Sequence, residues 1–427
     1  MLRRLLARGL VRAGIVTYVF SALALVANLV TGVVTARALG PSGRGVFVAL
    51  GTVAQLTGFL FAMGVAQSLS YYIARNPEEG PSLLSSWVVM LIPLTAAAIG
   101  IGELLLPLIF SDDQSAVDLG RWFLLSIVLV VGLELNYGLL LGKQDFVAYN
   151  VLRLAQPALT ALAFIVLWAL DELTVESALI AAIVGSAVAM VAGLARSVSR
   201  IGVGPIDARL GLRSLWYGVR GQGSTVATNV TARLDVAMLP AFVSTASVGL
   251  YSVAANISLI VHQLSNTFAA LVLPATAAGD AERGHSKVVG SLWASLVVAA
   301  LLAIVLAVFA RPLIGLVYGD SFRDAAEQLV LLLPGVVLFA GSSILAAGVY
   351  AAGRPFTATL AQLLGMAVTV VGLFAFLDSG GINAAAIVST VSYATVFAAM
   401  LIVYKSVSDT PWAAFVPTRA SVRKVLA

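Results

Sequence analysis

The chain has 427 residues, 60% hydrophobic and only 11% charged, with a formal net charge of +5 and no cysteine. Water-soluble domains carry about a quarter charged residues, so this composition excludes an ordinary soluble enzyme and makes lipid the solvent. The absence of cysteine excludes disulfides, thiolate nucleophiles and Cys-ligated metals.

Apolar runs of about twenty residues recur along the whole length without period-two alternation. In hydrocarbon every backbone N–H and C=O must be satisfied internally, so these runs predict helices rather than barrel strands. The predicted fold is all-α and polytopic, with about twelve transmembrane helices in two six-helix lobes around a central cavity. The first lobe places spans at 14–36, 46–73, 83–110, 122–141, 147–170 and 177–196. The second places them at 219–242, 249–273, 288–310, 329–350, 356–377 and 383–404. The domain organisation predicted is an N-terminal lobe at 1–196, a cytoplasmic amphipathic linker at 197–218, a C-terminal lobe at 219–404 and a cytoplasmic tail at 405–427. The first apolar run is long and lacks a small-residue cleavage site, so no cleavable signal peptide is expected.

Between the first two spans stands RALGPSGRGVF, residues 37–47. Gly40 and Pro41 end one helix, and Gly43 and Gly45 permit a tight turn. The two arginines of this turn admit two readings: Arg37 and Arg44 snorkel to headgroups, or they line the mouth of a cavity. With this alternation of sides, only Arg37, Arg44, Arg121, Arg311 and Arg323 fall opposite the N-terminus, whereas Arg3, Arg4, Arg8, Arg12, Arg75, Lys143, Arg196, Arg200 and most other basic residues fall beside it. The positive-inside rule then puts both termini in the cytoplasm, and the basic charge reflects topology rather than nucleic-acid binding.

In the fourth and fifth spans, Glu134 and Arg153 flank the short GKQD turn at similar depth and are expected to pair as a structural hairpin. The linker reads from Ile206 as an amphipathic helix, with Leu212, Leu215, Trp216 and Val219 on one stripe and Arg209, Arg213 and Arg220 on another. It is expected on the inner leaflet, with Trp216 and Tyr217 at headgroup depth.

The seventh span is the polar one. Gln222, Thr225, Asn229 and Arg233 share one face, and Thr228, Thr231 and Asp235 share another. A charge at mid-membrane costs about 2.5 to 3.5 kcal/mol on insertion scales, so Arg233 and Asp235 demand a watery cavity, a partner charge or both. The first span carries Thr17, Ser21, Asn28 and Thr35 in a stripe, and the eighth carries Ser252, Asn256, Gln263 and Thr267. These stripes suit sugar hydroxyls, and they equally suit helix packing. His262 is open to two readings, proton sensing or structural hydrogen bonding.

The chain repeats once. GRGVFVALG from Gly43 answers SVGLYSVAA from Ser247, so that Gly45, Val46 and Phe47 align with Gly249, Leu250 and Tyr251 at an offset of 204 residues, 249 minus 45. Pro107 in LLPLIF answers Pro312 in ARPLIG, and LLGKQDF answers AAGRPF. No P-loop, nucleophile elbow or metal-ligand spacing is present, so neither catalysis nor a cofactor or metal is expected.

ARALGPSGRGVF after an apolar first helix, the mirrored RLDVAML and VGLYSVA of the second lobe, and twelve spans together resemble the polysaccharide or oligosaccharide flippases. These belong to the superfamily that joins multidrug exporters to oligosaccharidyl-lipid and polysaccharide transporters. The resemblance implies alternating access of a cavity lined by the first, second, seventh and eighth spans. It also implies transfer of an undecaprenyl-pyrophosphate-linked glycan from the inner to the outer leaflet of a bacterial cytoplasmic membrane. Such a substrate needs cations beside hydrogen-bonding groups, and the candidates are Arg233, Asn229, Gln222, Arg37, Arg44, Asn28, Asn256 and Gln263. Asp235, Glu134, Arg153 and His262 are candidates for structure or coupling. Implied partners are membrane lipid, a coupling cation, a glycan polymerase and glycosyltransferases. The alternatives are a cation-coupled multidrug exporter, whose first helix would want a carboxylate, and a peptidoglycan-precursor flippase, which would carry two further C-terminal helices. A non-transporting scaffold or a glycan polymerase is a third class, but a polymerase would need an outer loop longer than the roughly fifteen residues available here.

Overall fold

A computed structural model describes residues 2–111, 113–277, 281–408 and 412–415, with side chains described for 16–111, 113–223, 225–263, 287–354, 356–408, 412 and 415. Among the described residues there are helices and turns and no strand. In chain order the helices are α1 (Leu2–Phe61), α2 (Val65–Arg75), α3 (Gly80–Ile109), α4 (Gln114–Phe123), α5 (Ser126–Gly142), α6 (Phe146–Ala169), α7 (Val175–Ile201), α8 (Ala208–Thr231), α9 (Leu234–Met238), α10 (Thr245–Ala277), α11 (Ala281–Tyr318), α12 (Ala325–Ala351) and α13 (Pro355–Ser408).

Nine helical segments among the described residues are long and apolar enough to cross a membrane. Two of them each contain a reversal, at Gly40 (φ 65°) in α1 and at Gly381 (φ 53°) in α13, and so comprise two expected spans apiece. A positive φ is accessible to glycine because it lacks a Cβ, and Pro41 then starts the second half of α1 where a missing N–H costs nothing. The remaining expected span is α8 with α9, too polar to stand among the nine.

The chain divides into two compact units, Met1–Gln222 and Gly223–Ala427. In the first, α5 packs against α1, α2, α3, α6 and α7; in the second, α12 packs against α10, α11 and α13. These are the fourth spans of their respective halves, so the internal repeat extends to which helix is enclosed. Lipid supplies no hydrophobic drive between helices, and close backbone approach does the work instead. Gly138 and Gly142, one turn apart on α5, abut Ala66 and Ile73 of α2.

The predicted linker is not a separate segment. α7 continues to Ile201, and α8 runs without interruption through the expected boundary to Thr231, so the division falls inside α8 at Gln222. The α8 stripe that packs on unit 1 is small and polar: Gly211, Ser214, Gly218 and Gln222 are buried, whereas Leu212, Trp216 and Val219 are exposed. Ser214 Oγ lies 2.5 Å from Ser68 Oγ and accepts from Trp87 Nε1 at 2.9 Å. In a bilayer the apolar face belongs outside, which is the arrangement seen. The predicted tail lies largely among residues that the structure does not describe.

Gly218 is the tightest point of this seam. A Cβ there would lie 2.5 Å from the Met63 carbonyl oxygen and 2.8 Å from that of Gly64, backbone atoms with no rotamer to change. Gly218→Val is therefore expected to cost about 2 to 3 kcal/mol by overpacking, read as a lower melting temperature and a smaller monodisperse peak. Gly221→Ala, three residues on with open space around it, should leave both unchanged. Equal behaviour of the two variants would contradict the packing of α8 on the turn between α1 and α2.

Candidate functional site

The seventh span breaks where its charges stand. α8 ends at Thr231, Arg233 N–H turns back to the Val230 carbonyl at 3.1 Å, and α9 begins at Leu234 with Arg233 as its N-cap. Pro240, within the single tight turn at Leu239–Ala241, prevents the short helix from continuing. Interrupted helices at membrane depth are tolerated where other groups satisfy the freed backbone.

Asp235 supplies part of that satisfaction. It is 2% exposed, and its Oδ1 accepts from Val236 N–H at 2.7 Å. Its Oδ2 accepts from the Tyr251 hydroxyl of α10 at 2.5 Å and from the Ser389 hydroxyl of α13 at 2.8 Å. One turn beyond Ser389, Tyr393 stacks on Phe339 of α12 at 4.6 Å, and Phe339 stacks on His262 at 4.5 Å. His262 Nε2 lies 3.1 Å from Ser343 Oγ. His262 is thus a buried, hydrogen-bonded member of a ring stack.

Arg233 is half-buried and in electrostatic reach of both Asp235 and Tyr393. Its guanidinium forms no hydrogen bond or ion pair among the described residues, and the bonds of the Asp235 carboxylate go to hydroxyls and backbone. An arginine has five N–H donors in a fork that fits two oxygens of one phosphate, and here that fork stands at a helix break.

The other candidates divide. Asn229 is half-buried on the face expected and donates to the Thr225 carbonyl at 2.9 Å. Gln222 is buried, with Nε2 donating to the Phe59 carbonyl at 3.3 Å, which makes it a packing residue of unit 1. Of the first-span stripe, Thr17 accepts from Asn150 Nδ2 of α6 at 3.0 Å and Thr35 is buried, whereas Asn28 is exposed and donates to the Ala24 carbonyl at 2.9 Å. Of the eighth-span stripe, Ser252 is buried, Asn256 half-buried and Gln263 exposed; the Thr267 side chain is outside those described.

Arg37 is exposed, but Arg44 is not a mouth cation: it is 1% exposed, and its Nη1 donates to the Gly32 carbonyl and, at 3.2 Å, to Thr35 Oγ1. The guanidinium reaches back across the Gly40 turn onto the C-terminal part of the preceding helix, where carbonyl dipoles favour a cation. Glu134 and Arg153 are electrostatic neighbours without forming an ion pair within 4.0 Å among the described residues. Arg153 is exposed, with its guanidinium 5.5 Å from the centre of the Tyr149 ring.

Tyr251 and Ser389 were not picked out from the sequence. The internal repeat holds a signal for the first: Tyr251 aligns with Phe47, and Asp235 with Thr31 at the same offset. In unit 1 Phe47 packs edge-on against Phe164, so the hydroxyl and the carboxylate occur together in unit 2 only. Ser389 lies 154 residues from Asp235, and no local pattern marks it.

A family profile described as "Polysaccharide biosynthesis protein" matches residues 10–279. The chain belongs to this family. It is the polysaccharide branch of the superfamily that the sequence resembles. A curated relative is the probable low-salt glycan biosynthesis flippase Agl15 of Haloferax volcanii, 22% identical over 370 residues that cover 84% of this chain and 76% of the relative. Among solved structures, the lipid II flippase MurJ in an inward closed conformation superposes with a TM-score of 0.77 at 15% identity, covering 97% of this chain and 92% of that one. An inward-facing multidrug resistance MATE family transporter of the MOP superfamily gives 0.72 at 14% identity, covering 90% and 95%. These structural likenesses show a shared fold for this polysaccharide biosynthesis family member, a multi-pass membrane protein.

Proposed function

We propose that the protein is a flippase that moves an undecaprenyl-pyrophosphate-linked oligosaccharide from the inner to the outer leaflet of the cytoplasmic membrane by alternating access, for surface polysaccharide biosynthesis. The observation that carries this reading is the Arg233 guanidinium, held at a helix break inside a membrane span without a partner among the described residues. Burying a charge there is costly, and a pyrophosphate is the ligand that uses both its charge and its fork. Asn229 stands one turn before it on the same face, and Asn28, Asn256, Gln263 and Arg37 are assigned to the glycan and its phosphates. Asp235, surrounded by the hydroxyls of Tyr251 and Ser389, is assigned to uptake of a coupling cation. The naming of a curated relative as a glycan flippase and the lipid II flippase fold support the reading. It further takes both termini as cytoplasmic, a membrane transport role without catalysis, and glycosyltransferases and a polymerase as partners before and after the step.

Expression in a strain lacking its own transporter for the glycan is expected to restore surface display. Restored display with unchanged drug tolerance supports the flippase; raised drug tolerance without display would establish the multidrug exporter that the MATE likeness leaves as the alternative.

Topology gives a second check. Single cysteines at Ser42, Ser115 and Ser379, all exposed, should react with an impermeant maleimide on intact cells. A cysteine at Ser199, exposed near the end of α7, should react only after permeabilisation. The opposite pattern would invert the proposed orientation.

A further inference from the structure

We infer that unit 1 carries a second carbohydrate-binding site on the side of its N-terminus, separate from the Arg233 site, where the glycan head docks before it crosses. This inference rests on the flippase reading above. An odd number of crossings separates the N-terminus from the Gly40 turn, so the turn after α2 and the start of α8 return to the N-terminal side. There a cavity of about 390 Å³ opens between them, lined by Glu78, Glu79, Ser82, Asp207, Arg209 and Arg213 among others. Its size falls at the lower end of the range for small-ligand pockets.

Part of this lining is structural. Arg213 Nη2 pairs with Glu79 at 3.2 Å, and Asp207 Oδ1 caps α8 by accepting from Arg209 N–H at 2.9 Å and Leu210 N–H at 3.0 Å. The side chains of Glu78 and Arg209 have no hydrogen bond or ion pair among the described residues, so an unused acceptor and an unused donor face the same space. Three carboxylates against two guanidiniums disfavour a bare phosphate or an anionic lipid headgroup, each of which would want an excess of cations. A sugar suits the mixture, since every hydroxyl both donates and accepts.

Arg213 links the cavity to three tyrosines that lie outside its lining. The Arg213 guanidinium lies 5.2 Å from the centre of the Tyr72 ring, which meets Tyr217 edge-on at 5.6 Å; Tyr217 stacks on Tyr71 at 4.4 Å. Tyr71 and Tyr217 remain 37% and 40% exposed; the Arg75 guanidinium lies 5.9 Å from the centre of the Tyr71 ring and donates to its hydroxyl at 2.6 Å, so the ring surface left to the C–H face of a pyranose is chiefly that of Tyr217. Trp216, 62% exposed one position before Tyr217, marks the same level as the membrane interface. A lipid-linked glycan with its tail in the leaflet would present its sugars here.

The test uses the purified full-length chain in nanodiscs and three probes: the lipid-linked glycan fraction extracted from the host, undecaprenyl pyrophosphate, and phosphatidylglycerol. The expected result is that the glycan-bearing lipid binds about tenfold more tightly than undecaprenyl pyrophosphate, the equivalent of one or two net hydrogen bonds. The Glu78→Ala/Arg209→Ala double variant, and separately Ser82→Trp, which fills the cavity, should reduce that ratio to below about twofold without weakening undecaprenyl pyrophosphate binding. Both variants must elute as the native protein does; if Ser82→Trp misfolds, the double variant of exposed residues carries the decision. A ratio unchanged by these variants overturns the glycan pocket while leaving the flippase reading standing. Undecaprenyl pyrophosphate binding no better than phosphatidylglycerol would instead overturn the flippase reading and the pocket with it.

Discussion

Arg233→Ala should insert and fold normally yet fail to export its glycan. Truncating one partner of a desolvated, hydrogen-bonded charge pair costs about 2 to 5 kcal/mol, which corresponds to roughly thirtyfold or more in affinity for the phosphates. Folding should survive because Asp235 keeps the Tyr251 hydroxyl, the Ser389 hydroxyl and the Val236 N–H when the arginine is gone. Arg233→Lys retains the charge and loses the fork, so intermediate display is expected. Arg37→Ala should reduce display less, since an exposed charge acts through screened solvent. Arg44→Ala should instead lower the amount of folded protein, because the buried guanidinium ties the two halves of α1 together. The measurement is surface glycan in a transporter-deficient strain, normalised to membrane-inserted protein. Normal display from Arg233→Ala at normal protein level would remove Arg233 from the substrate site.

The contrast between Arg37 and Arg44 shows where sequence reading reaches its limit. Spans were legible because bilayer thickness sets their length, and the Gly40 turn was legible because glycine and proline act locally. Even the polarity of the seventh span, and hence the candidate Arg233, stood out against its alanines and valines. Where a side chain turns once placed is decided by partners that the folded chain brings to it, near or far in sequence. Arg44 goes inward to Gly32 and Thr35, and Gln222 goes to Phe59, 163 residues away. The linker illustrates a different difficulty. Its two stripes were evident, but a helix that presents Leu212 and Trp216 outward and packs through Gly211, Ser214 and Gly218 is continuous with a membrane span, and amphipathicity does not reveal continuity. Glu134 and Arg153 were matched in depth, yet depth does not fix rotation about the helix axis, and Arg153 turns to the Tyr149 ring.

Asp235 sets the second large effect, and here stability rather than transport should change first. Asp235→Ala leaves two buried hydroxyls without their acceptor and Arg233 without a counter-charge. Leaving a buried hydrogen-bonding group unsatisfied costs about 1 to 3 kcal/mol, and the half-buried guanidinium also loses the nearby charge that balances it. Asp235→Asn keeps an oxygen to accept from Tyr251 or Ser389, so it should fold better than the alanine variant while still losing charge balance. The decisive variant combines Asp235→Ala with Arg233→Met. If the uncompensated guanidinium carries most of the cost, deleting it should recover a substantial part of the lost melting temperature, whereas on the proposed function transport should not return. Ser389→Ala, which removes one donor and leaves the Tyr251 bond in place, should cost only about 1 kcal/mol. A double variant no more stable than Asp235→Ala would show that the hydroxyl network, and not charge balance, holds the broken seventh span in its place.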